Sequence, residues 1–196
     1  MKTTKISLLS KAILLIVSAL FFGSLLLPMW RIELEAPQYP EGLVLQLHAH
    51  KIGGDVDIIN GLNHYIGMAT LHTENFFEFV VLPYIIGFFG LFALILVFIA
   101  KRKGIIILLA SFLLFGVLAG VDFYRWNYEY GHNLDPNAAI VVPGMAYQPP
   151  LIGYKQLLNF GAYSIPDIGG WMLVVAGLLL AIAVVFECKI FKTAKL

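Results

Sequence analysis

The sequence predicts a membrane α-helical protein: four transmembrane helices with a small mixed α/β or irregular extracytoplasmic cap, formed from two outer segments. Three observations predict it. The 196 residues are 60% hydrophobic and only 13% charged, with mean hydropathy +0.85, whereas a soluble domain carries about 25% charge. Four apolar runs are each near the roughly 20 helical residues that span a hydrocarbon core. The basic residues also gather on one side of those runs. Lys2, Lys5, Lys11, Lys101, Arg102, Lys103, Lys189, Lys192 and Lys195 fall on one side, against Arg31, Lys51, Arg125 and Lys155 on the other.

The first run, about Ala12–Met29, follows a basic tail and has no small-residue cleavage site in LLLPMW, so residues 1–29 read as a tail and a retained anchor helix. Residues 80–121 hold the second run (Val80–Ala100), the KRKG turn and the third run (Gly104–Val121); residues 170–196 hold the fourth (Gly170–Phe186) and a basic tail. By the positive-inside rule, both termini and Lys101–Lys103 lie in the cytoplasm of a multi-pass protein of the bacterial inner membrane. Residues 30–79 and 122–169 are then the outer segments, and all five histidines fall within them.

In the first outer segment Leu43, Leu45 and Leu47 alternate with Val44, Gln46 and His48, the pattern of a half-buried strand. Gly53-Gly54 predicts a turn, and Val56–Asn60 a second short strand pairing back. Ile59–His72 then reads as helix or loop–helix, with Asn60 or Asn63 as caps. In the second outer segment, Tyr124–Tyr130 is aromatic and charged, as expected where the third helix leaves the membrane; Gly131 and Pro136 end it. Tyr154–Phe160 suits a short helix, and Ser164–Asp167 a lead into the fourth span.

The chemistry-bearing stretch is His48–His72, which holds four of the five histidines and Met68. On a strand His48 and His50 share a side; on a helix His64, Met68 and His72 form one stripe. Imidazole and thioether together suit copper, since thioether favours Cu(I) and imidazole accepts either copper state or zinc. The candidate metal ligands are therefore His48, His50, His64, Met68 and His72, with His132 added if the second outer segment folds over the first. The alternative is that the histidines are surface residues and Met68 packs in a core.

Other constellations carry less. Asp122 and Arg125, one turn apart at the membrane boundary, suit an ion pair or a proton or ion path. Glu187 is expected to face cytoplasmic solvent beside Lys189. Cys188 alone excludes an internal disulfide or a multi-cysteine metal site. There is no phosphate loop, no G-x-S-x-G and no HExxH, so no catalytic residue is assigned and an enzyme is not expected. A net charge of +1 gives no reason to expect nucleic acid.

The strings WRIELEAPQYPEGL, INGLNHYIGM, RWNYEYGHNLDP and QPPLIGYKQLLNF resemble a family of small four-span bacterial membrane proteins. That family is associated with accessory proteins of copper enzymes, particularly in nitrous-oxide reductase maturation. The resemblance implies copper as cofactor and a cuproenzyme or its accessory proteins as partners, besides membrane lipid; it implies no ligand set. The expected function is thus copper handling or cuproenzyme maturation. The alternatives are a metal-free assembly subunit, and a membrane enzyme or electron-transfer subunit with a quinone or lipid pocket.

Overall fold

The computed structural model describes residues 6–157 and 159–193. Lys2, Lys5 and Lys195 of the charge pattern lie outside them. Three helices are long and apolar enough to cross a membrane: α3 (Glu78–Ile99), α4 (Arg102–His132) and α5, whose apolar part is Ile168–Cys188 within Ile168–Thr193. The first, α1 (Leu8–Ser24), has 17 residues. It starts before the expected Ala12 and stops short of Met29, because Pro28 and the strand pairing beyond it take residues 25–29 out of the helix.

The four helices pack as a bundle in which α1 lies between α3 and α5, and α4 closes against both. Leu14, Val17 and Phe21 of α1 are fully buried, beside Ile86, Phe89 and Ala93 of α3 and Ala176, Leu180 and Ala183 of α5. Phe21, Phe89 and Phe112 stack and edge against one another at 5.0–5.8 Å. The outward residues of α4, such as Leu113, Leu114, Val117 and Leu118, are exposed apolar side chains, which suits a face turned to lipid.

At one end of the bundle sits a five-stranded antiparallel sheet: β1 (Trp30–Ala36), β2 (Tyr39–Leu47), β3 (Ile52–Gly54), β4 (Gly153–Leu157) and β5 (Phe160–Pro166), in the order β3-β2-β1-β5-β4. Both outer segments contribute, because β1 pairs with β2 on one side and with β5 on the other. The alternation of leucines in β2 is used as expected. Leu43 and Leu45 are buried with Ile32 of β1, under Ile59 of the helix α2 (Val56–Ile66).

Four expectations are corrected. Val56–Asn60 is the start of α2, not a strand: Val56, Ile59 and Leu62 meet the sheet at helical spacing, and the short strand is Ile52–Gly54 instead. Asn60 and Asn63 lie inside α2 and cap nothing. Asn60 donates to and accepts from Leu71 (2.9 and 2.7 Å), tying back the strand of chain that follows the helix. Tyr154–Phe160 is not helical, because pairing with β5 takes Gly153–Leu157 as an edge strand. Glu187 is not solvent-facing: it is 6% exposed and accepts from Ser7 N (2.8 Å) and Ser10 Oγ (2.6 Å), joining the start of α1 to α5.

The joint between cap and bundle is close. The 25–29 linker bonds to the sheet and to α5 through Met29 N to Leu47 O, Asp167 N to Met29 O and Gly169 N to Pro28 O. A Cβ on Gly169 would stand 2.8 Å from Pro28 O, and one on Gly170 would overlap Met29 O. Ser164, fully buried, accepts from Trp30 Nε1 (2.8 Å) and donates to Leu151 O (3.2 Å).

Candidate metal-binding residues of the cap

Five of the six residues singled out by their chemistry fall into three places, and His72 stands apart from them. His64 and Met68 are in the first. α2 runs to Ile66 and stops because Gly67 takes a left-handed conformation (φ +80°), with the Gly67 and Met68 N–H groups both on Asn63 O. The stripe His64–Met68–His72 therefore does not exist. The helix ends between its first two members, and His72 is carried away to the start of a single 3₁₀ turn, where it is exposed.

His64 and Met68 nevertheless line one open cleft of about 460 Å³, walled by Gly67, Ala69 and Thr70 on one side and Asn133–Pro136 on the other. Its walls are fixed by three hydrogen bonds. Asp135 N donates to Gly67 O (2.8 Å), Ile140 N to Tyr65 O (2.9 Å) and Tyr130 Oη to Thr70 O (3.0 Å). The second wall escaped the sequence reading, although His132–Pro136 belongs to one of the distinctive strings. Contact between two segments so far apart in the chain has no local signature.

His48 and His50 form the second place, at the turn between β2 and β3. Their ring centres are 6.1 Å apart. Ala49 between them is fully buried in the core of the helix bundle, and His48 N donates to Lys51 O (2.9 Å). His48 borders Gly53 on the sheet face opposite α2, and His50 is exposed. Lys51 and Asp167 are close enough to act on His48, and Asp167 lies 4.0 Å from Arg31 Nη1, whose Nε is 2.9 Å from Glu33. Burial first, then the Lys51 and His50 charges, hold the His48 imidazole below its ordinary value, against an opposing pull from Asp167.

His132 is the third. Its ring stacks on Tyr128 (centres 4.0 Å apart) and its Nδ1 is 2.9 Å from Tyr128 O, so Nδ1–H donates and Nε2 is left outward. Among the described residues no group of three or more His, Cys, Asp or Glu side chains is placed to hold a metal ion together. The six candidates are two pairs and two single histidines.

At the membrane boundary the described salt bridges are the two made by Arg31. Asp122 faces the Glu78 carboxyl as well as Arg125, and Trp126 Nε1 donates to Glu78 Oε1 (3.3 Å). A second cavity, about 270 Å³, runs along α4 between Tyr124, Arg125, Tyr128 and Glu129. At the far end of the bundle, Arg102 Nη2 donates to Cys188 Sγ (2.9 Å).

Three membrane-length helices, a fourth shorter apolar helix and an antiparallel sheet at one end define a multi-pass membrane protein with a small β cap. No family model, curated protein or solved structure matches the chain.

Proposed function

We propose that the protein is an integral membrane accessory protein whose cap lies outside the cytoplasm of a bacterial inner membrane. It handles copper through His64 and Met68 and serves the maturation of an extracytoplasmic cuproenzyme. The observation that carries this reading is the shared cleft: His64 and Met68 line the same hydrogen-bonded space, and imidazole with thioether is a donor pair that suits copper. Two further points support it. The nine-to-four distribution of basic residues favours the sheet end as the outer one, and the resemblance to copper-enzyme accessory proteins points to the same metal. With two protein donors lining an open cleft, a bound ion keeps positions free for a donor from another protein, as a site that passes its cargo on requires.

Metal analysis of protein purified without chelator tests the reading, with copper above background as the expected result. Met68→Leu keeps nearly the same volume and apolarity, a change that costs under about 1.5 kcal/mol in a core. As a ligand, Met68 gives a Leu variant that folds normally and loses Cu(I) from the cleft. Unchanged Cu(I) content in Met68→Leu and His64→Ala would overturn the cleft as a copper site.

A second reading, the metal-free assembly subunit, draws on the sheet face opposite α2. There Tyr154 and Tyr163 are 56% and 40% exposed, opposite each other across β4 and β5 and next to Glu33 of β1. It gains ground if both cleft variants keep wild-type copper content but a charge placed at Tyr163 releases a co-purifying protein.

A further inference from the structure

The turn between β2 and β3 has its own chemistry, separate from the cleft. We infer that His48 and His50 form a second metal site, a two-coordinate one for a soft monovalent d¹⁰ cation such as Cu(I), at the junction of cap and bundle. The choice of Cu(I) as the working ion rests on the copper reading above; the site itself does not depend on the cleft.

The ring separation carries the inference. A metal–imidazole bond of about 2.0 Å plus about 1.1 Å from nitrogen to ring centre puts two imidazoles in line across one ion about 6.2 Å apart, and two at a tetrahedral angle about 5.1 Å apart. The observed 6.1 Å equals the span of the linear arrangement, which is reached when each ring turns a nitrogen toward the midpoint. The tilt of 55° between the rings is no obstacle, because an in-line ion leaves each ring free to rotate about the N–metal axis.

The surroundings select the same ion class. No third His, Cys, Asp or Glu among the described residues joins the pair, so the four protein donors of a closed zinc site are lacking, whereas Cu(I) is content with two. Of the neighbouring charges, Arg31 is set against Glu33 and Asp167, and Lys51 beside His48 adds a further positive charge. Lys51 and Asp167 act on His48 with opposite signs, so the number of donors, not the neighbouring charge, selects the ion. The backbone that carries the pair is also held in place, by Ala49, fully buried and clustered with apolar residues of the bundle, and by the His48 N to Lys51 O bond. Accepting an ion then asks only that the two side chains turn on a fixed backbone.

The test uses the full-length protein in detergent carrying Met68→Leu and His64→Ala, which removes the cleft donors. The protein is titrated anaerobically with Cu(I) alone against a chromophoric Cu(I) chelator. The expected result is one Cu(I) per chain, with an absorption edge and fine structure reporting two nitrogen neighbours and no sulfur. Adding His50→Ala, at an exposed position that leaves packing alone, should weaken retention by more than the roughly 10–100-fold that loss of an outer-shell partner costs. His48→Gln, which keeps a polar side chain of similar size, should do the same. No Cu(I) bound in the cleft-less protein overturns the inference, as does retention unchanged by both histidine variants, or Zn(II) bound as tightly as Cu(I). The two readings fail separately. Loss of copper on Met68→Leu with no effect of His50→Ala leaves the cleft and removes this site, and the reverse pattern does the opposite.

Discussion

His48 shows how much a single side chain's setting can decide. Its imidazole is held below the ordinary value, so the folded protein disfavours the proton that the unfolded chain would accept. The associated stability is present above the ordinary histidine value, about 6.5. It is lost as pH falls from there through the lowered folded value. His48→Gln should therefore flatten the fall in thermal stability between neutral and mildly acidic pH; an unchanged profile would show that His48 plays no part. Gly54 is a sharper case. Its φ is +82°, and a Cβ there would overlap the Val44 carbonyl oxygen, so Gly54→Ala combines a left-handed strain with a clash. The expected cost is about 2 kcal/mol or more, read as a lower midpoint of thermal unfolding in detergent. The sequence marked Gly53-Gly54 as a turn, but both glycines lie in β3, paired with Gln46 and Leu45, and the chain turns at His48–Lys51 instead. What it could not mark is that Val56–Asn60 winds into a helix, because the surface that Val56 and Ile59 bury against is made by distant leucines.

Among the elements, α2 and the chain after it act together through Asn60. Two hydrogen bonds to Leu71 hold residues 67–72 along the helix and so shape the wall of the cleft. Asn60→Ala leaves the Leu71 amide and carbonyl without these partners and should cost about 2 kcal/mol. Hydrogen exchange at Leu71 should quicken more than exchange within α2; equal protection of both would show that the strap is held by something else. Legibility differed from element to element for a physical reason. The β2 leucines alternate within one strand, and the spans carry their apolarity locally, so both could be read directly. The edge strand β4 contains Lys155, Gln156 and Leu157, residues at home in a helix, and only pairing with β5 makes it extended. Of the candidate site, the residue types were legible and their grouping was not. The left-handed Gly67 divides what helical spacing joins, and Asn133–Pro136 arrives at Met68 from the other outer segment.

At the scale of the molecule, the cap is one unit because β1 sits between β2 and β5, with the bonds of Asp135 and Ile140 to Gly67 and Tyr65 as a second link. The chain between α4 and β4 passes through the exposed stretch Ile140–Val142, so a single cut there should not separate the halves. Limited proteolysis in that stretch should give two fragments that stay together in mild detergent, with exchange protection of β1 retained. Fragments that part without denaturant would show that the pairing across the sheet is too weak to hold the cap. The bundle end remote from the sheet has its own clasp, which apolar patterning did not reveal. Glu187→Ala removes the acceptor of Ser7 N and Ser10 Oγ and should release the first turn of α1, seen as faster exchange at those residues while the cap stays unchanged.

The glycines that open α5 have a mechanical consequence. Gly169 and Gly170 let the helix lie directly on the carbonyls of the 25–29 linker; β5 runs into α5 across Asp167 alone, and that short bonded linker joins α1 to β1. A flexible tether would let the sheet wander over the lipid surface; here the joint behaves as a weld. A change in helix tilt, such as a thicker or thinner bilayer imposes, must swing the sheet through the same angle and carry the β2–β3 turn with it. Spin labels on the sheet and on the remote end of α5 should report one fixed distance across bilayers of different thickness. Bulk added at Gly170 should broaden that distance, turning a lever into a swivel.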